Sequence, residues 1–308
     1  MNTCGPLAFI EKKCQGRVLH NEPLSSHTSF GIGGPADAFV WADGVEDVEI
    51  VQDAVLSNEI PFLVIGNGTN LLFHDEGFRG VVLRLGRHFK GIVSEGTRVT
   101  AGAGANLSKT LSFCAEHDLG GFEFAVGIPG TVGGAVSSAA WTRSGGIRDR
   151  LSRVTAMGPK GDVVTKDAPS LGNEHGDLVP DGCIITEVSF QLEPAPENAI
   201  RLEMERLMAR RKQTQPLNKR SAGCVFRNPE HQSAGRIIDE CGCKGMRVGG
   251  AVVSEKHANF IINSGGARSE DVLELIERVR ERVHSATGVL LGLEIDVVDP
   301  WGGMRRDA

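Results

Sequence analysis

The sequence predicts an α+β protein with more than one domain, and three observations lead to this class. A chain of 308 residues is too long for a single ordinary hydrophobic core. Short strand-like runs and amphipathic helical segments occur together in the same parts of the chain. The sequence Pro194-Ala195-Pro196 interrupts this pattern and marks a change in composition. We therefore predict domains over residues 1–90, 91–195 and 196–308.

Composition narrows the range of partners and compartments. The formal net charge of −6 comes without a basic stripe, so nucleic acid is not an expected partner. No apolar run approaches the roughly 20 residues of a membrane span, and no secretory signal is visible at the N-terminus. Seven cysteines scattered along the chain suggest reduced thiols. These features predict a cytoplasmic protein without a membrane span.

The first part of the chain predicts one βαβ unit. Residues 1–24 read as a helical or irregular lead-in, and residues 37–41 read as a strand. Helical spacing of apolar residues over 45–56 leads to a second short strand over 61–65. The formal G-x-G-x-x-A match at residues 31–36 lacks a preceding strand and contains a proline. We therefore reject a Rossmann dinucleotide fold.

Two glycine-rich stretches interrupt this regular pattern. Residues 65–72 follow the second strand, and residues 127–136 contain four glycines and one proline. Such stretches predict loops, because glycine loses the most backbone entropy on ordering and proline lacks an N–H donor. A phosphorylated or flat cofactor can closely approach their exposed backbone amides. Two such loops favour one extended ligand held at two points, and the alternative is a pair of tight turns between core strands.

Further elements follow in the middle of the chain. The patterns predict strands over residues 81–85 and 97–101, a helix over 106–117, a hairpin of 152–157 with 162–165, and a strand over 183–192. The composition break then leads into a charged helix over residues 197–212, which ends before Pro216.

The last hundred residues predict a separate unit. Its expected elements are a helix over residues 233–241, a strand over 257–263, a helix capped by Ser269, and a closing strand over 289–297. In that closing strand the apolar residues alternate, so Glu294 faces the side opposite to them.

At this point the ordered motifs resemble one known family, the UDP-N-acetylenolpyruvoylglucosamine reductases. The similar segments are residues 28–34, the two glycine-rich stretches, residues 210–216, 221–229 and 233–239, and the terminal strand. The resemblance implies a PCMH-type FAD-binding fold of two α+β subdomains, followed by an α+β substrate-binding domain. It also implies the positions that hold FAD, which are Gly66, Asn67, Gly68, Thr69, Asn70, Leu71, Gly127, Ile128, Gly130, Thr131, Gly133, Gly134 and Ala135.

The resemblance implies a reaction as well. Family members pass a hydride from NADPH to FAD, and then from the flavin to the enolpyruvyl double bond of a UDP-sugar. The product, UDP-N-acetylmuramate, enters peptidoglycan synthesis. Negative charge that develops beside the substrate carboxylate must be stabilised, and one carbon must be protonated.

Three residues are implied for this chemistry. Cys224 occupies the position of the family's proton-donating serine, and a thiol is a stronger acid than an alcohol. Glu294 matches the glutamate that helps to stabilise the enolate-like intermediate. The family's Tyr-Arg pair is missing, because the chain contains no tyrosine, and His175 lies near the arginine position. Taken singly, these residues could instead be a buried thiol, a solvated carboxylate and an exposed loop histidine.

Other positions bear on the substrate. Arg210, Arg211, Lys212 and Asn228 are candidates for contact with the acidic UDP-sugar, and a solvated helix end is the alternative for the three cations. Residues 137–141 depart from the family's Asn-Ala-Gly pattern. Two alternatives therefore stay open: a paralogous flavoenzyme with another substrate, or a flavin-binding protein without turnover. The Cys241-Gly242-Cys243 sequence has no partner pair at metal spacing, so no metal is expected.

Overall fold

The computed structural model describes residues 5–167, 178–180 and 182–305. The chain divides into two compact units. The first unit contains the described residues of 1–19, 38–66 and 82–210, and the second contains those of 20–37, 67–81 and 211–308. Each unit is thus assembled from three separate segments of the chain. The three-domain division of the sequence stays a prediction.

The helices account for much of the regular structure. The α-helices of the described residues are α1 (Pro6–Lys13), α2 (Val45–Ser57), α3 (Leu107–Glu116), α4 (Val132–Ser137), α5 (Glu197–Thr214), α6 (Ala234–Glu240) and α7 (Ser269–Thr287). Short 3₁₀ turns lie at Leu24–Ser26, Arg87–Lys90, Glu123–Ala125 and Ile147–Arg150. The helices predicted over residues 45–56, 106–117, 197–212 and 233–241 are confirmed.

Short strands supply the rest. They are β1 (Arg17–Pro23), β2 (Pro35–Ala42), β3 (Phe62–Ile65), β4 (Leu71–Phe73), β5 (Phe78–Leu85), β6 (Ile92–Glu95), β7 (Arg98–Gly102), β8 (Leu119–Gly120), β9 (Trp141–Thr142), β10 (Gly145–Gly146), β11 (Leu151–Met157), β12 (Val163–Asp167), β13 (Ile184–Gln191), β14 (Glu193–Pro194), β15 (Arg247–Val248), β16 (Ala251–Val253), β17 (Ile261–Asn263), β18 (Asp296–Val298) and β19 (Met304–Arg305).

Two larger sheets organise these strands. The four-stranded sheet has the order β1-β2-β5-β3, so the two strands of the predicted βαβ unit share one sheet with β5 between them. The five-stranded sheet has the order β12-β11-β13-β7-β6 and is antiparallel throughout. It contains the predicted hairpin as β11 and β12. Of the small sheets, β15-β16-β17 is antiparallel, whereas β18 pairs in parallel with β4.

The core of the first unit forms where α3 and α4 cover the five-stranded sheet. Asn106 caps α3, since its side-chain oxygen accepts the Ser108 amide at 3.0 Å. The buried face of this helix includes Leu107 and Leu111, which join Phe122 and other buried side chains in one hydrophobic cluster. The periodicity that predicted α3 therefore reflects a face that packs into a core.

The core of the second unit is built around α7. The buried face of this helix carries the predicted side chains Val272, Leu275, Ile276, Val279 and Val283. They pack in one cluster with residues from distant parts of the sequence, including Phe30, Leu72, Val225 and Ile295. Gly288 then ends the helix in the left-handed conformation, with a φ of 75°.

The second glycine-rich stretch is not a loop throughout, and our prediction is wrong for its second half. Val132–Ser137 is the helix α4, which contains two glycines. Thr131 caps this helix, because its hydroxyl oxygen accepts the Gly134 amide at 3.2 Å. Burial of Val132, Ala135 and Val136 offsets the low helix propensity of glycine.

Four other predictions need correction. The lead-in contains the strand β1, whose sequence lacks alternating apolar residues. Arg268, not Ser269, occupies the N-cap of α7; Ser269 is buried, and its hydroxyl donates to Asp75 at 2.8 Å. The strand predicted over 257–263 is regular only at its last three residues. The closing strand is regular only at Asp296–Val298, although Leu291, Leu293, Ile295 and Val297 are buried as the alternation predicts.

No helix in the described part of the chain is both long enough and apolar enough to cross a membrane.

Candidate functional site

The two glycine-rich stretches meet in the first unit at Gly66 and Thr131. A Cβ atom placed on Gly66 would lie 2.4 Å from the Thr131 hydroxyl oxygen, so only glycine fits without rearrangement. Gly130, next to Thr131, has a φ of 136°, which non-glycine residues rarely adopt. Two stretches that are far apart in the sequence are therefore in direct contact here.

Most amides of the second stretch are already used by the protein itself. The Gly133 amide donates to the carbonyl of Ala103 at 2.8 Å, and the Ala135 amide donates to that of Thr131 at 2.9 Å. Ile128 and Gly134 donate within the chain in the same way. The expectation of exposed amides is therefore wrong for these four positions.

Three amides of this stretch remain available. Among the described residues, the backbone N–H groups of Gly127, Gly130 and Thr131 have no acceptor. Gly130 and Thr131 lie at the contact with Gly66, which brings no side chain of its own to this place. The predicted positions thus include three unused amide donors, two of them beside Gly66.

The first glycine-rich stretch continues into the second unit as residues 67–72. There the Asn70 side-chain amide donates to the Glu294 carbonyl at 3.1 Å. Leu71 begins β4 and pairs with Asp296 of β18. The carbonyl of Asn70 also accepts the Asp296 amide at 2.9 Å. This stretch therefore fixes the backbone at Glu294 and at Asp296, two residues further on.

Cys224 lies in an extended segment against the same part of the chain. Its backbone forms an antiparallel bridge with Phe260, and the amide of Glu294 donates to the carbonyl of Val225 at 2.8 Å. The buried Asn259 locks the segment in place. Its side chain donates to the carbonyl of Phe226 at 2.8 Å and accepts that residue's amide at 2.9 Å.

The surroundings of Cys224 keep its thiol protonated. Burial first, and then the Glu294 carboxylate, raise the pKa of Cys224 to about 12, while the Arg211 guanidinium opposes that rise. Burial also lowers the pKa of Arg211 from its usual value. Cys224 is consequently a neutral acid that lies within the electrostatic influence of one carboxylate and one guanidinium.

Glu294 has a cationic neighbour of its own. The Arg227 Nε lies 3.9 Å from a carboxylate oxygen of Glu294, and about a third of each side chain is exposed. At this distance and exposure the pair contributes well under about 1 kcal/mol to stability. The pair places a positive charge near the Glu294 carboxylate.

The four predicted substrate contacts have different surroundings. Arg211 is half-buried, and its Nε has no hydrogen-bond partner among the described residues. Lys212 is exposed, and its carbonyl accepts a hydrogen bond from Lys256. Asn228 is exposed, and its side-chain oxygen accepts the Ala234 amide at 3.0 Å at the start of α6. Arg210 is assigned to the first unit, whereas the other three belong to the second.

His175 lies outside the described residues.

Arg227 and Asn259 are two site residues that sequence reasoning missed. Arg227 lies three positions beyond Cys224 in the family-like segment 221–229. Its closeness to Cys224 in the sequence could have marked it as a site residue. The position of Asn259 gave no such signal, because its role depends on a contact 33 residues away. Within the described ranges, no group of three or more His, Cys, Asp or Glu residues could hold a metal ion.

Comparison with known families identifies the class of this protein. Residues 36–167 match a family described as an FAD binding domain. Gly66 and the three available amides of the second stretch fit such a cofactor. The protein is an FAD-binding oxidoreductase with a PCMH-type cofactor fold and an additional C-terminal domain.

The C-terminal match and the individual relatives define the family. Residues 215–298 match the C-terminal domain of UDP-N-acetylenolpyruvoylglucosamine reductase. The reductase of Desulforamulus reducens is 40% identical over 291 residues, covering 94% of this chain and 96% of that protein. The reductase of Moorella thermoacetica is 42% identical over 288 residues, covering 93% and 94%. This chain belongs to the UDP-N-acetylenolpyruvoylglucosamine reductase family.

A solved structure supports the same conclusion. The crystal structure of the reductase from Thermus caldophilus aligns with a TM-score of 0.80 and 38% identity. The alignment covers 92% of this chain and 99% of that one. The resemblance seen in the sequence motifs is thus confirmed over nearly the whole chain.

Proposed function

We propose that this protein reduces the enolpyruvyl group of UDP-N-acetylglucosamine enolpyruvate to give UDP-N-acetylmuramate, with NADPH as the electron donor. Relatives that are named after this reaction align with more than nine-tenths of the chain. The observation that carries the proposal is the constellation of Cys224, Glu294 and Arg227 in the second unit. It combines a proton source with a carboxylate and a guanidinium close to each other.

Cys224 is the proposed proton donor. Reduction of the enolpyruvyl double bond requires a proton at one carbon, and a neutral thiol carries such a proton at physiological pH. The raised pKa of Cys224 keeps the proton in place until the substrate demands it. Asn259 supports this role by holding the segment that carries the thiol.

Glu294 and the nearby cations are proposed to stabilise the negative charge of the intermediate and of the substrate. Glu294 helps to stabilise the enolate-like intermediate, and Arg227 balances the negative charge of this carboxylate. The positive charge of Arg211 acts on the Cys224 thiol. Arg211 is also proposed to contact the acidic substrate, together with Arg210, Lys212 and Asn228. His175 stays a proposal for the positive charge that the family's arginine supplies.

The proposed FAD contacts are the positions of the two glycine-rich stretches, through their backbone at Gly66, Gly130 and Thr131. When bound, FAD would supply the two-electron transfer between nicotinamide and substrate. The proposal includes a cytoplasmic location and a role in peptidoglycan synthesis.

A steady-state assay tests the proposal. Purified protein is loaded with FAD, and NADPH oxidation is followed with and without the enolpyruvyl UDP-sugar. We expect oxidation that depends on this substrate and a product that has gained two hydrogen atoms by mass spectrometry. UDP-N-acetylglucosamine, which lacks the enolpyruvyl group, is the matched control.

The outcomes separate the alternatives. NADPH oxidation that does not respond to the enolpyruvyl substrate would favour a paralogous flavoenzyme. Protein that binds FAD but oxidises no nicotinamide would favour a flavin-binding protein without turnover. The absence of tyrosine from the chain motivates this comparison, because it removes part of the family pattern.

A further inference from the structure

A basic cleft opens on the first unit. It has a volume of about 580 Å³ and lies between the start of β1, the end of β2 and the 3₁₀ turn after β5. Its side chains come from Gln15, Arg17, Trp41, Asp43, Arg87 and Lys90. None of these residues belongs to the glycine-rich stretches or to the proposed substrate contacts. The cleft is therefore separate in residue content from the site described above.

The backbone around the cleft is held by one buried carboxylate. Asp47, only 2% exposed, accepts the amides of Gln15 at 2.7 Å, Gly16 at 2.9 Å and Asp43 at 2.8 Å. The amide of His88 in turn donates to the Asp43 carbonyl at 3.2 Å. The three segments that line the cleft are thereby tied together, so its walls are preorganised.

Three cations line this cleft against one accessible carboxylate. The Arg17 guanidinium lies 5.5 Å from the centre of the Trp41 ring, a contact that orients the group without neutralising its charge. Neither Arg17 nor Lys90 forms an ion pair with a carboxylate in the described part of the chain. Arg87 and Asp43 approach to 3.9 Å, but Arg87 is 85% exposed and this contact is weak.

We propose that the cleft binds a small molecule through a diphosphate group. Guanidinium groups match phosphate oxygens with paired N–H donors, and lysine adds a point charge. Stacking by an aromatic base is disfavoured, since Trp41 is covered by Arg17 and packs against Phe39 with ring centres 4.4 Å apart. Recognition therefore depends on the diphosphate charge and not on a ring system.

Calorimetric titration of the FAD-loaded protein with inorganic pyrophosphate tests this site. The double variant Arg17→Ala/Lys90→Ala removes two of the three cations. It is expected to bind pyrophosphate about tenfold more weakly or worse, which corresponds to a loss of about 1.4 kcal/mol or more. The variant Lys109→Ala/Lys160→Ala removes two exposed cations elsewhere and is expected to bind within about twofold of the wild type.

A charge-reversal variant and a second ligand, ADP, complete the test. Lys90→Glu is expected to weaken binding more than Lys90→Ala, and retention of FAD checks that each variant is folded. We expect ADP to bind as tightly as pyrophosphate, because the cleft recognises only the diphosphate. ADP that binds much more tightly would contradict the proposal that no ring is recognised. The proposal is overturned if the wild type binds no pyrophosphate at millimolar concentration, or if both double variants weaken binding equally.

Discussion

Cys224 keeps its proton because its surroundings disfavour the thiolate. Burial and Glu294 raise the pKa of its thiol to about 12, so the protonated form dominates at every pH below that value. An acid of this kind loses its function only as the pH rises through its folded pKa. The reduction step should therefore show no loss from Cys224 ionisation between roughly pH 6 and pH 9.

Replacement of Cys224 tests its role directly. In Cys224→Ala we expect substrate-dependent flavin reoxidation to slow by about 10²- to 10⁴-fold, the usual contribution of a general acid. Flavin reduction by NADPH should keep its rate, because that step needs no proton from the thiol. Cys224→Ser, which retains an O–H donor, should recover part of the loss. Stopped-flow spectroscopy measures both steps, and an undiminished reoxidation rate in the alanine variant would sink the proton-donor role.

Glu294 should control how readily Cys224 reacts with alkylating agents. Its negative charge raises the pKa of the thiol, so Glu294→Gln lowers that pKa and increases the thiolate fraction at pH 8–9. We expect faster iodoacetamide labelling of Cys224, followed at the level of the peptide by mass spectrometry. Glu281→Gln, an exposed change on α7, should leave the labelling rate unchanged. Equal rates in both variants would contradict the electrostatic coupling.

At the scale of elements, the contact between the two glycine-rich stretches is the feature most open to test. Gly66→Ala would place a Cβ atom 2.4 Å from the Thr131 hydroxyl oxygen, and overpacking of this kind costs about 1–3 kcal/mol. We expect a lower free energy of unfolding in urea and weaker FAD binding by titration. Gly91→Ala meets no atom within 4 Å and has a φ of −61°, so it should behave like the wild type. Matching losses in both variants would show that the contact is unimportant.

Elements with strong local periodicity could be predicted from the sequence. The apolar spacing of α3 and α7 directly reflects the faces that they bury, so both helices were found. The helix α4 could not be found this way, because its glycines oppose helix formation and its stability comes from the Thr131 cap and tertiary burial. The strand β1 was missed for a related reason, since pairing with β2 and not an apolar pattern defines it.

The candidate site was predictable only in part. Cys224 and Glu294 were identified through the motifs that resemble the family, and the structure connects their segments through Val225. Arg227 and Asn259 depend on contacts between residues distant in sequence, which periodicity does not encode. The internal use of the Gly133 and Ala135 amides is also a tertiary property, and a glycine count alone gives no sign of it.

At the scale of the whole molecule, each unit draws on three separate segments. Phe30 and Leu72 from the first third of the chain belong to the same buried cluster as Val225 and Ile295. A fragment of residues 1–195 would expose the first two side chains to water, although this range spans the two predicted FAD-binding subdomains. We expect the fragment to bind a hydrophobic dye strongly and to lack a cooperative unfolding transition. A cooperatively folding, FAD-binding fragment would instead support the three-domain division.

The proposed activity is tested most directly by the flavin itself. The FAD-loaded wild-type protein is reduced with NADPH in the absence of oxygen and then mixed with UDP-N-acetylglucosamine enolpyruvate. We expect NADPH to bleach the visible flavin absorbance and the enolpyruvyl substrate to restore it, with one product formed per flavin reoxidised. Flavin that stays bleached with this substrate, yet recovers when oxygen is admitted, would contradict the proposed reductase function.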